Sequence, residues 1–109
     1  MASIDDFSKL EIRIGRITSV EGVEKARKPI YKLTVDFGGE MGARTIVAGI
    51  KEHYTEDELT GKEVACVVNL EPKSVAGVIS EGMILAAEDQ NSVALLIPLK
   101  EVEAGSRVR

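Results

Sequence analysis

The chain has no tryptophan, one cysteine, one histidine, three prolines and only four Phe and Tyr residues among its 109, and each scarcity removes a class of protein. Cys66 alone cannot form an internal disulfide, so stability must come from a packed core rather than covalent staples. His53 is the only imidazole; it sits beside Tyr54 among Glu52, Glu56, Asp57 and Glu58 and reads as a solvated surface histidine rather than a general base. With no second histidine, no Ser or Cys has an evident activating partner. Phosphate-cradling glycine loops, the H-E-x-x-H pair and Cys-His clusters are all missing, which argues against nucleotide- and metal-dependent enzymes and leaves no cofactor or metal to expect. No apolar run approaches the roughly 18 residues a membrane helix needs. The opening Met1-Ala2-Ser3-Ile4-Asp5-Asp6 lacks the basic and apolar regions of a secretory leader, so a cytoplasmic location is expected.

What is present suits one globular domain over residues 1–109. Apolar residues make up 44% and charged residues 29%, a balance that folds rather than stays disordered. A chain of this length buries roughly two-thirds of its unfolded surface, and Val, Ile and Leu must supply that interior. Cys66 lies in Val64-Ala65-Cys66-Val67-Val68 with no cationic neighbour, which reads as a buried small hydrophobe.

Ser3 with Asp5 and Asp6 marks a short N-terminal helix. In residues 10–17 the apolar positions alternate and then change parity after Gly15, the pattern of a strand with a β-bulge at the glycine. Residues 21–29 read as a loop and 30–37 as a second strand, with Tyr31, Leu33, Val35 and Phe37 on one face. Gly38-Gly39-Glu40-Met41-Gly42 is a hairpin turn into a third strand over 44–50. Thr55, Glu58 and Gly61 cap and stop a second short helix. Residues 62–70 form a fourth strand, 71–81 a long loop, 83–87 a fifth strand, and 93–98 a further extended piece. The result is an all-β class: a five-stranded OB-fold barrel with a short N-terminal helix, a short helix between strands 3 and 4, and a C-terminal extension. An SH3-like barrel is the alternative.

The formal net charge of −4 conceals a polarity. Residues 9–32 carry seven basic side chains against three acidic, whereas residues 47–109 carry six against eleven. The positive end falls on the first two strands and their loop, near the face of strands 2 and 3 and the adjoining loops where OB-folds bind oligonucleotides and oligosaccharides; ordinary solubilising surface charge is the competing reading. Aromatics for stacking single strands are scarce, so a structured RNA read by shape and backbone fits better than general single-strand binding.

Several segments carry a resemblance. Leu10-Glu11-Ile12-Arg13-Ile14-Gly15-Arg16-Ile17, Tyr31 to Gly38, Ile46-Val47-Ala48-Gly49-Ile50, Asn69-Leu70-Glu71-Pro72, Gly77 and Ser80 to Ala87 occur in the order found in the tRNA-binding OB domain. That family includes the C-terminal domain of methionyl-tRNA synthetases, stand-alone synthetase beta subunits, structure-specific tRNA-binding proteins and the CsaA-type chaperones. The closing segments 93–98 and 102–108 are similar to the stand-alone form. The resemblance implies a non-catalytic homodimer that binds the outer corner of tRNA and assists aminoacylation, with methionyl-tRNA synthetase as a possible partner. Carried over by position, Lys9, Arg13, Lys32 and Lys73 would neutralise phosphate, Asn69 and Ser80 would hydrogen-bond sugar or base, and Met83 would make an apolar contact. For Asn69 and Ser80, satisfying the loop backbone is the competing reading. The opening residues 4–13 are similar to the CsaA-type branch too, proposed to bind unfolded or presecretory chains. The 74–79 segment carries Val75, Ala76, Val78 and Ile79 with Lys73 as its only nearby cation, which keeps that branch open.

Overall fold

A computed structural model describes residues 1–109. Helix α1 (Ile4–Ser8) precedes strands β1 (Ile12–Gly22), β2 (Tyr31–Asp36) and β3 (Ala43–Ala48). Helix α2 (Glu56–Leu59) and strand β4 (Glu63–Val67) follow, then the short strands β5 (Lys73–Val75), β6 (Val78–Ser80), β7 (Met83–Ile84), β8 (Ala86–Glu88) and β9 (Val93–Leu95). The main antiparallel sheet runs β3-β2-β1-β4-β7.

The sheet curls into a nearly closed barrel because its two edges meet. Glu81 N–H donates to the Thr45 carbonyl at 2.8 Å, Thr45 N–H to Glu81 Oε1 at 3.0 Å, and Val47 N–H to Ser80 Oγ at 2.9 Å. The seam is thus sewn partly by side chains. Inside lie Ile17, Val20, Leu33, Val35, Phe37, Ile46, Val64 and Cys66, with Leu59 of α2 plugging one end. Burial pushes the Cys66 thiol up to about 12, as desolvation disfavours its thiolate. The Tyr31 hydroxyl donates to the Tyr54 carbonyl and the Tyr54 hydroxyl to the Val93 carbonyl, both at 2.8 Å. These two bonds tie the segment after β3 to both the barrel wall and the C-terminal segment.

Strand β4 is buried on both faces, which accounts for its unbroken apolar run. Val64 and Cys66 point inward, while Ala65 and Val67 join Ile12 and Ile14 in a second cluster under Leu85, Val102 and Val108. The C-terminal segment is held there as an extra edge: Ile14 N–H donates to the Ser106 carbonyl and Val108 N–H to the Ile12 carbonyl, each at 2.8 Å.

Both helices have the caps expected of them. Ser3 and Asp6 form one capping box and Thr55 and Glu58 another, and the bonds from backbone N–H groups hold the Asp6 and Glu58 carboxyls below their ordinary values.

Three expectations need correction. Gly15 is no bulge: β1 pairs with β4 in unbroken register from Ile12 to Arg16, and the irregularity lies between Ile17 and Ser19. Parity changes because Ile12 and Ile14 cover the outer cluster while Gly15 and Ile17 face the barrel. A Cβ on Gly15 would lie 2.5 Å from Val35 Cγ1 and 2.7 Å from Phe37 Cε1, so packing demands the glycine. The 71–81 loop contains the β5–β6 hairpin, turning at Ala76 (φ 50°) and Gly77 (φ 85°), the left-handed pair of a two-residue turn. The fifth strand divides at Leu85, where the chain leaves β4 to pair β8 with β9.

Candidate nucleic-acid interface

On the outer face, the strand register assembles a row. Glu21 of β1 opposes Lys32 of β2, which opposes Val47 of β3; the Val47 N–H reaches Ser80, and Ser80 opposes Lys73 across the hairpin. The alternation that sends Tyr31 and Leu33 inward puts Lys32 and Thr34 outward, as expected from sequence.

Lys32 also lies on the floor of a cleft of about 410 Å³ between the β1–β2 loop and the β5–β6 hairpin. Lys25 lines the same cleft, whereas Lys51 lines a separate one with Tyr31, Tyr54 and the acidic residues Glu52, Glu56, Asp57 and Glu58. The ion pairs of the molecule are Lys9–Asp6, Arg13–Glu11, Arg16–Glu63 and Arg16–Glu101. Lys25, Lys32 and Lys73 therefore hold no internal carboxylate, and unpaired cations gathered at one place raise the local anion concentration.

The remaining site residues gather elsewhere, where β1 begins and β4 ends. Asn69 bridges two backbone groups: its Oδ1 accepts from Glu11 N–H and its Nδ2 donates to the Lys9 carbonyl, both at 2.8 Å. Arg13 donates from Nε to Glu11 Oε2 at 3.1 Å and from Nη1 to the Gly105 carbonyl at 2.9 Å, locking the C-terminal segment. Lys9 is exposed and meets only Asp6, at 3.5 Å. Met83 is half-exposed beside Val67. Ser80 is buried; it accepts from Val47 and donates to the Gly82 carbonyl at 3.1 Å. The seven residues thus form two groups joined by the Ser80–Met83 run, with Lys32 and Lys73 in one and Lys9, Arg13 and Asn69 in the other.

Sequence reasoning left Lys25 out of the site, although it was legible as part of a basic loop. No three His, Cys, Asp or Glu side chains converge as a metal site requires, and no helix is long and apolar enough to cross a membrane.

A small antiparallel barrel of the OB-like class, with free lysines on one outer face, a loop and a hairpin, has the layout of a ligand-binding module. The chain belongs to the tRNA-binding domain family: the family model described as "Putative tRNA binding domain" matches residues 12–107. It is 54% identical over 106 residues to the methionine-tRNA ligase of Archaeoglobus fulgidus and 50% identical over 107 residues to that of Pyrococcus furiosus. Those matches take in 97% and 98% of this chain but 16% and 14% of the relatives, so the chain spans about one-seventh of their length. Among solved structures, the CsaA chaperone protein of Picrophilus torridus superposes with a TM-score of 0.94 at 39% identity, covering the whole of both chains. A MetRS-related protein of Pyrococcus horikoshii superposes at 0.90 and 38% identity, covering 100% of this chain and 98% of that one.

Proposed function

We propose that the protein is a non-catalytic tRNA-binding module that acts in the cytoplasm as a homodimer, in the manner of a methionyl-tRNA synthetase beta subunit, and assists aminoacylation. The observation that carries this reading is the set of unpaired lysines at the β1–β2 loop, the outer face of β2 and the hairpin, within a family of tRNA-binding domains. Lys9, Lys32 and Lys73 neutralise phosphates and Met83 adds an apolar contact, while Arg13, Asn69 and Ser80 hold the surfaces that present them. Recognition by shape and backbone needs few aromatic platforms, in keeping with four Phe and Tyr residues in all.

Dimerisation is supported by the outer face of β1 and β4. A cleft of about 320 Å³ lined by Ile14, Ala65, Leu85, Val102 and Val108 has Ile97 on its rim, with Leu99 just beyond and fully exposed. A hole and a knob on one surface are what an isologous twofold contact requires. Doubling the basic face in this way offsets the small number of cations per copy.

A gel shift with total tRNA tests the function. Lys32→Ala is expected to weaken binding about equally for all tRNAs, because a phosphate contact carries no sequence; binding that survives the change undiminished contradicts the assignment of this face. The CsaA-type reading, in which unfolded polypeptide is the ligand, is favoured by one feature, the exposed Ile79 on the hairpin. It calls for suppression of client aggregation that is insensitive to salt.

A further inference from the structure

The cleft between the β1–β2 loop and the hairpin is more specific than a basic groove. Its volume of about 410 Å³ falls within the roughly 300–1,000 Å³ of small-ligand clefts. A double helix cannot enter a slot of that size. One wall is the hairpin turn, where Gly77 (φ +85°) leaves open space in place of a side chain and Val78 supplies methyl groups. Flat backbone beside aliphatic carbon suits the face of a planar base. Lys25 and Lys32 line the slot, placed to meet the phosphates on either side of an unstacked nucleotide.

The remaining wall carries Glu24, which pairs with no cation. A carboxylate among lysines repels phosphate, so what it can receive is an N–H edge. Guanine offers two adjacent donors, N1–H and the N2 amino group, to the two oxygens of one carboxylate. Uracil offers a single N3–H, and adenine and cytosine set an acceptor nitrogen beside their amino group. Unpaired RNA bases are commonly read on this Watson–Crick edge.

We infer that this slot takes one unpaired guanine of the bound RNA, read by Glu24, with its flanking phosphates on Lys25 and Lys32. The inference rests on the tRNA-binding reading and narrows it from backbone shape to a looped-out base.

The test is a fluorescence-anisotropy titration of the whole protein with three RNAs: a uridine hexamer, the same hexamer with one central guanosine, and a hairpin holding that guanosine in a base pair. The single-guanosine hexamer is expected to bind about tenfold tighter than the uridine hexamer, the discrimination typical of a bidentate contact, and the hairpin to lose that gain. Glu24→Gln, in an exposed loop, should collapse the guanosine-to-uridine ratio toward one, and amide shifts of Gly77 and Val78 should follow the guanosine hexamer. Equal affinities for the two hexamers, or a ratio that Glu24→Gln leaves in place, overturns the inference. Guanosine monophosphate displacing the hexamer at equal concentration also overturns it, by making a free nucleotide the ligand. A gel shift with total tRNA on the same sample separates the levels: no shift contradicts tRNA binding as a whole, whereas a shift without guanine preference contradicts the slot alone.

Discussion

At the residue scale, the glycine at position 15 shows how one atom constrains the barrel. Ile17 and Val20 of β1 carry side chains into the interior, yet at Gly15 Val35 and Phe37 already occupy the space. Gly15→Ala is expected to destabilise by about 1–3 kcal/mol through overpacking, read as a lower urea midpoint at unchanged slope. Ser80 illustrates the opposite economy. Its hydroxyl satisfies a β3 N–H that has no strand opposite it and accounts in part for barrel closure. Asn69 acts likewise between α1 and β4, and in both residues the backbone-satisfying role is the one the hydrogen bonds record. Cys66 is a core residue of the kind its apolar surroundings implied.

At the element scale, the caps, the β2 alternation and the β3 hairpin were legible because each depends on neighbours within a few residues. Thr55 and Glu58 close their box within a single turn, and Tyr31, Leu33 and Val35 alternate with Lys32 and Thr34 as a half-buried strand must. The features that escaped depend on contacts far apart in sequence. Gly15 imitated a bulge because Ile12 and Ile14 serve one cluster and Ile17 another, which only the C-terminal cover makes possible. The β5–β6 hairpin escaped because its turn uses Ala76 in a left-handed conformation in place of the usual Asn or Asp. The same division applies to the site: Lys32 and Lys73 could be picked out singly, but their common row exists only once the sheet has curled.

The α2 cap also carries a pH dependence. Bonds from Thr55 lower the Glu58 carboxyl below its ordinary value of 4.5, so the unfolded chain binds the proton more readily. The contribution is full above pH 4.5 and is lost as pH falls through the lowered folded value. Replacing Glu58 with Gln should therefore narrow the stability difference between neutral and acid pH, measured by urea unfolding at the two pH values. An unchanged difference contradicts this role.

At the scale of the whole molecule, net charge and function point in opposite directions until position is considered. The acids lie mainly after residue 47, while the free lysines collect where the β1–β2 loop meets the hairpin. A field of this kind attracts a polyanion to that part of the surface. The apolar cleft over β1 and β4 shares no lining residue with the lysine cleft, so a second copy docked there would leave the latter open. Ile97→Asp is accordingly expected to yield monomers by native mass spectrometry without RNA, and dimers persisting in that variant contradict the proposed contact.

The most direct test of the account is the affinity for total tRNA measured across a series of salt concentrations. Each phosphate contact contributes roughly 0.7–0.9 to the steepness of log affinity against log salt. Binding that weakens steeply as salt rises, with a slope reduced by about one in Lys32→Ala, is the predicted result; no tRNA binding at low salt, or binding indifferent to salt, would contradict it.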